Sequence, residues 1–270
     1  MSDTSLSPPH ASAPQSRFVK ALRTIAALIL REMTTRYGKT PGGYVWALIQ
    51  PLGMIIILAY AWSLLARTPS LGTSYLLFKG TGMLALGMFT TLGSLVGGAM
   101  KYSKSLLFYP GVTWIDAILA RFALNVLILA MVTYIILHGI MIYDDVQTIL
   151  AWDRILLAMG LAAGTGFGAG CLNCYLFQRF PVWEQIWSIL TRPLFIISGV
   201  IFLYEDMPPL AQQILWYNPL LHITGIMRDG FYPVYQPGYI SLVYVALCML
   251  VPMLLGLLLL RRHARQLLQL

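Results

Sequence analysis

The residue types that carry chemistry are present in this chain, but none is assembled into a full set. Gly38-Lys39-Thr40 reads like the end of a phosphate-cradling loop. Such a loop needs an earlier glycine where Met33 stands and a preceding strand, so ATP is not held by that means. Cys171 and Cys174 have dithiol spacing inside a glycine-rich apolar run, with no neighbouring charge to stabilise a thiolate. They read as small packing residues. His138 and His222 are lone histidines without a second ligand at metal-binding spacing, and Asp144-Asp145 lacks a third acidic or histidine partner. No catalytic residue and no metal site is expected. What remains are arginines in or beside apolar runs, Arg36, Arg121 and Arg192, whose forked donors grip carboxylates and phosphates. Beside them are aromatics, Trp46, Tyr60, Trp62, Tyr134 and Trp187, whose faces suit the C–H surface of a sugar ring. For Arg121 and Arg192 the competing reading is snorkelling or a structural pair, with Asp116 one turn before Arg121 as a candidate partner. For each aromatic it is helix packing or an interfacial belt.

The elements that position these residues follow from hydropathy. In 270 residues, 58% are hydrophobic and 10% charged, too few charges to solvate a soluble globule of this size. The chain reads as an all-α integral membrane protein. Its net charge of +8 is spread by loop rather than gathered with aromatics on one module, which excludes a nucleic-acid partner. Residues 1–16, rich in Ser, Pro and Ala, read as a disordered cytoplasmic tail without a cleavable signal. From Arg17 to Lys39, Phe18, Leu22, Ile25, Ile29 and Met33 share one helical face and Lys20, Arg23 and Arg31 the opposite one. That predicts an interface helix over 17–39, with Ser16 as N-cap and a break at Pro41-Gly42-Gly43. Apolar runs at about 44–66, 80–100, 117–142, 155–178, 186–204 and 238–260 predict six spans within a transmembrane domain over 40–260. Lys and Arg then fall mainly inside: six before Tyr44, then Lys101, Lys104, Arg179, Arg261, Arg262 and Arg265. Both termini are expected in the cytoplasm, with 261–270 as a short tail.

Three further features stand out. Gly93/Gly97, Gly160/Gly164, Gly164/Gly168 and Gly166/Gly170 have the one-turn small-residue spacing that lets helices pack closely in lipid, or slide. The inner loop after Lys101 reads as an amphipathic stub stopped at Pro110-Gly111 and presenting Leu107, Phe108 and Tyr109, either a dock or an interfacial anchor. Outside, residues 204–239 hold two short apolar segments broken at Asn218-Pro219, which predicts a re-entrant helical hairpin between the fifth and sixth spans.

The blocks Arg31-Glu32-Met-Thr-Thr-Arg36-Tyr37-Gly38, Gly43-Tyr44-Val-Trp46-Ala47, Gln50-Pro51 and Phe108-Tyr109-Pro110 resemble the membrane-spanning subunits of ABC-2 type polysaccharide exporters. So do Ile115-Asp116 through Ala120-Arg121 and Asn218-Pro219-Leu220-Leu221-His222 with Arg228, and the nearest likeness is to the capsule polysaccharide permeases of Gram-negative bacteria. Asn125 and Gly225 depart from the pattern where acidic residues are common. The resemblance implies a homodimer in the inner membrane with two ATP-binding cassette subunits, which hold ATP and Mg, so that this chain binds no cofactor. It implies a lipid-anchored polysaccharide as cargo, handed to a periplasmic co-polymerase-type adaptor and an outer-membrane channel. Arg36, Arg121 and Arg192 would then face the anionic linker, and the five aromatics the sugar path. Ser103, Lys104, Leu107, Phe108, Tyr109, Pro110, Trp183 and Glu184 would receive the ATPase, and Asn218, Pro219, His222 and Arg228 would build the periplasmic hairpin. An O-antigen or teichoic-acid exporter is the alternative cargo class. A membrane glycosyl- or acyltransferase would need a convergent acid/base set that the sequence lacks.

Overall fold

The structure, a computed structural model, describes residues 17–36, 42–66, 68–108 and 111–269. The expected tail over 1–16, residues 37–41, Arg67, Tyr109 and Pro110 lie outside them. The described chain is helical, with no strand: α1 (Arg17–Arg36), α2 (Gly43–Leu65), α3 (Tyr75–Gly97), α4 (Ala99–Tyr102), α5 (Trp114–Tyr143) and α6 (Trp152–Arg179) come first. Then follow α7 (Val182–Ile197), α8 (Pro209–Leu215), α9 (Pro219–Phe231) and α10 (Leu242–Gln269). Local chemistry sets several of the boundaries. Gly42, left-handed at φ 72°, starts α2. The Ser74 hydroxyl accepts from the Leu77 N–H at 3.0 Å to start α3.

By length and composition α2, α3, α5, α6 and α10 are able to cross a membrane. The expected span over 186–204 is different. Its helix, α7, has 16 residues, about 24 Å of rise, and stops at Ile197. Ser198 and the left-handed Gly199 (φ 73°) turn the chain, and residues 198–207 are irregular although Val200 to Leu203 continue the apolar run. Hydropathy counts those residues; backbone geometry does not. Two other edges also move. Helix α3 begins at Tyr75, so Lys79 is not a loop residue but lies inside the helix at 1% exposure. Helix α10 runs on through Arg261-Arg262 to Gln269.

Helix α6 is the centre of the bundle, with α3 on one flank and α10 on the other. Gly166 and Gly170 meet Phe89, Leu92 and Val96 of α3, while Gly164 and Gly168 meet Met249 of α10. Gly256 of α10 answers by lying against the Cys171 and Leu172 backbone. The glycine pattern thus serves two close seams, the means by which helices associate without a hydrophobic drive in lipid. Gly160 has open space around it and takes no part. Cys171 and Cys174 are free and buried, packed with Val96, Met100 and Leu260. Helix α9 is buried along almost its whole length against α3 and α6, and α1 packs along α5.

Candidate translocation site and coupling surface

Helix α7 buries none of its side chains. Trp187 anchors it from the inward side: the indole N–H donates to Ser94 Oγ at 3.0 Å, and the ring sits 6.0 Å from that of Phe89, over the space Gly93 leaves open. Trp187 therefore packs α7 against α3. The opposite face of α7 carries Gln185, Ser188 and Arg192, spaced three and four apart and all exposed. Arg192 lies ten residues above Val182, about 15 Å, and is in no ion pair among the described residues. Against lipid tails a bare guanidinium would be costly.

Where α7 ends, its carbonyls are taken up by side chains. Asn218 Nδ2 donates to Ile197 O at 2.9 Å and Thr224 Oγ1 to Ser198 O at 2.8 Å. Lys79 Nζ reaches Ile201 O at 2.7 Å, and Arg228 donates to Val200 O at 3.4 Å and Phe202 O at 3.3 Å. Two buried cations thus sit at a helix C-terminus without a carboxylate in salt-bridge range among the described residues, matched by carbonyl dipoles and by the ring of Phe78. This explains how irregular backbone is tolerated there, since every carbonyl left bare in an apolar setting would cost free energy. Sequence reasoning placed Asn218 and Arg228 in the hairpin but missed Lys79 and Thr224. Trp62 belongs here too: its ring packs edge-on to Phe202 and under Lys79, which makes it part of this packing. His222, fully buried, accepts the Ser241 N–H on Nδ1 at 3.2 Å, so Nε2 carries the proton and donates to Trp216 O at 2.8 Å. Burial holds its pKa below the ordinary histidine value, and the Trp216 bond opposes that only in part.

At the end of the bundle where α1, α4 and α5 meet, the expected Asp116–Arg121 pair does not form. Asp116 instead closes a capping box at the start of α5, accepting from Thr113 N at 2.9 Å and Thr113 Oγ1 at 2.7 Å. Arg121, 7% exposed, pairs with Glu32 of α1, Nε to Oε1 at 2.7 Å, and stacks on the Tyr102 ring at 4.4 Å. Ser103 lines the cavity of about 390 Å³ beside this pair, and Lys104 is half-buried. Leu107 is not exposed as expected; it packs on the inner core with Trp114, whereas Phe108 stands out at 66% exposure. Nearby, Lys101 and Glu184 bond at 2.9 Å, which raises the Lys101 pKa, and Trp183 Nε1 donates to Asn173 Oδ1 at 3.0 Å. These contacts hold the inner loop and the 180–184 turn side by side, with Phe108, Phe180 and Val182 exposed around them. The Arg36 side chain is outside the described structure.

The remaining aromatics separate. Trp46, 57% exposed on α2, opens onto a cleft of about 750 Å³ between α2, α3 and α5, where Gln50, Thr91, Asn125 and Thr133 supply polar groups. Tyr60 is exposed nearer the C-terminal end of α2. Tyr134 stacks on His138, rings 5.5 Å apart and nearly parallel, on the far side of α5. The structure brings Trp46 alone of the five to this cleft.

A helical bundle with cations buried at both poles, a polar stripe on a peripheral helix and no clustered acid, cysteine or histidine ligands among the described residues has the makeup of a membrane permease. Residues 23–232 match the ABC-2 type transporter family, and the chain belongs to it. It is 29% identical over 238 residues to the polysialic acid transport protein KpsM of Escherichia coli, covering 88% of this chain and 92% of that one. It is 28% identical over 235 residues to the capsule polysaccharide export inner-membrane protein CtrC of Neisseria meningitidis serogroup B, with 87% and 89% covered. To the capsule polysaccharide export inner-membrane protein BexB of Haemophilus influenzae it is 27% identical over 243 residues, with 90% and 92% covered.

Proposed function

We propose that this chain is the transmembrane subunit of an ATP-driven exporter that carries a lipid-linked capsular polysaccharide from cytoplasm to periplasm. Two copies work with two separate ATP-binding subunits, which dock on the inner loop around Phe108 and on the 180–184 turn. The chain crosses the inner membrane six times, with α7 as the short fifth crossing, α8 and α9 as a hairpin re-entering from outside, and both termini in the cytoplasm. A periplasmic adaptor and an outer-membrane channel receive the polymer. The named relatives support the cargo class, and their cover of nearly the whole chain supports a shared architecture.

The observation that carries the path is Arg192. With Gln185 and Ser188 it forms a polar, exposed stripe without an ion-pair partner among the described residues, on a helix otherwise polar only at Glu184 and Thr191, which fits a wet path between two copies better than a lipid contact. Arg192 is then placed to meet the anionic linker, and Trp46 to meet sugar rings at the edge of the cleft. The test uses cysteine variants in a Cys248→Ser background, in native membranes. Ser188→Cys and Arg192→Cys are expected to react with a charged, membrane-impermeant maleimide, whereas Leu254→Cys on the exposed face of α10 resists it. Equal resistance at all three positions sinks the path.

A further inference from the structure

We propose that Arg121 is a positioning residue that ties movement of the inner loop to movement of α1 through its bond to Glu32, a coupling that rests on the exporter reading above. The geometry is that of a hub. Arg121 sits on α5, yet its guanidinium meets α1 at Glu32 and α4 at Tyr102, and its Nη1 lies 3.7 Å from the place a Cβ of Gly98 would occupy. Glu32 and Arg121 stand 89 positions apart and are shielded, with side chains 17% and 8% exposed, so salt screens the pair little. Helix α1 packs along α5, and this ion pair is one electrostatic tie between them. Losing one partner leaves the other charge buried and uncompensated, which holds the two elements together more firmly than a surface pair would.

Two details make the hub a device and not only a brace. Helices α3 and α4 meet at Gly98, which lies against Tyr102 and Arg121, while Gly97 faces Phe177 and Asn173 of α6, so the inner loop begins at a glycine joint beside the guanidinium. Arg121 Nη1 is also buried without a hydrogen-bond partner among the described residues. A spare donor of that kind, expensive to leave unmade, equips the arginine to take an acceptor from the α3–α4 joint when the loop shifts, without releasing Glu32. Force applied by an ATPase at the loop is then delivered to α1 through Tyr102, Arg121 and Glu32.

The experiment compares Glu32→Gln, Tyr102→Leu and the exchange Glu32→Arg with Arg121→Glu, each in the full complex with its ATPase subunit. Three quantities are read: thermal midpoint, ATP hydrolysis and polymer exported per ATP hydrolysed. Glu32→Gln and Tyr102→Leu are expected to assemble and hydrolyse ATP near the wild-type rate while export per ATP falls about two- to thirtyfold, and the exchange to restore part of it. Export per ATP unchanged in Tyr102→Leu overturns the hub. So does a loss in Glu32→Gln that tracks a lower thermal midpoint and is not relieved by the exchange. If no ATPase accompanies the wild type at all, the exporter reading fails first and the coupling goes with it.

Discussion

Lys79 and Arg228 share one aromatic ring: Lys79 Nζ lies 4.9 Å, and Arg228 Cζ 4.0 Å, from the centroid of Phe78. Neither cation has a carboxylate in salt-bridge range among the described residues; both donate to the carbonyls that follow α7. Replacing Arg228 by Met strands two carbonyls and Lys79→Met strands one, at about 1–3 kcal/mol for each buried group left unsatisfied. Thermal unfolding in detergent should therefore rank wild type above Lys79→Met and Lys79→Met above Arg228→Met. The opposite order would show that removing a buried charge outweighs the stranded carbonyls.

The two glycine seams of α6 allow a contrast within one helix. Gly168 faces the Met249 backbone, whereas Gly160 has open space. Gly168→Ala should lower stability by about 1–3 kcal/mol through overpacking. Gly160→Ala should be neutral, or stabilising by up to about 1 kcal/mol from helix propensity alone. Thermal midpoints of the two variants, measured side by side, decide it.

On the inner face, Phe108 is exposed and Leu107 is packed. Phe108→Asp is expected to keep the wild-type thermal midpoint and lose the co-purifying ATPase, while Leu107→Asp loses folded protein. Retention of the ATPase by a folded Phe108→Asp protein would remove that loop from the docking surface.

His222 gives a pH dependence whose sign follows from its bonds. Its folded-state pKa lies below the ordinary value near 6.5, because burial favours the neutral ring and the Ser241 N–H needs Nδ1 as an acceptor. The unfolded chain binds the proton first as pH falls, so the stability that His222 contributes is whole above about pH 6.5 and declines below it. Comparing thermal midpoints at pH 7.5 and 5.5 for wild type and His222→Gln should show a fall in wild type that the variant largely lacks.

Much of this was legible in the sequence wherever one segment decides the outcome. The apolar runs mark α2, α5 and α6, Gly42-Gly43 mark the start of α2, and Asn218-Pro219 marks the joint between α8 and α9. What stayed hidden depends on partners far along the chain. Lys79 reads as a loop charge because its acceptor, the Ile201 carbonyl, is 122 positions away. Arg121 reads as a partner for nearby Asp116, but Thr113 holds that carboxylate and Glu32 takes the arginine. Thr113 and Asp116 have capping-box spacing, a signal that could have freed Arg121 for a distant partner. Helix α7 was overrun because Val200 to Leu203 are apolar, and only Ser198-Gly199 hints at the turn.

The carbonyls after α7 have one more consequence. Clustered backbone oxygens at membrane depth are the material of cation filters, where they replace the water around sodium or potassium. Here the places such an ion would occupy are filled by an ammonium and a guanidinium built into the fold. Those oxygens are therefore already engaged by the fold's own cations and are not free to coordinate a small ion.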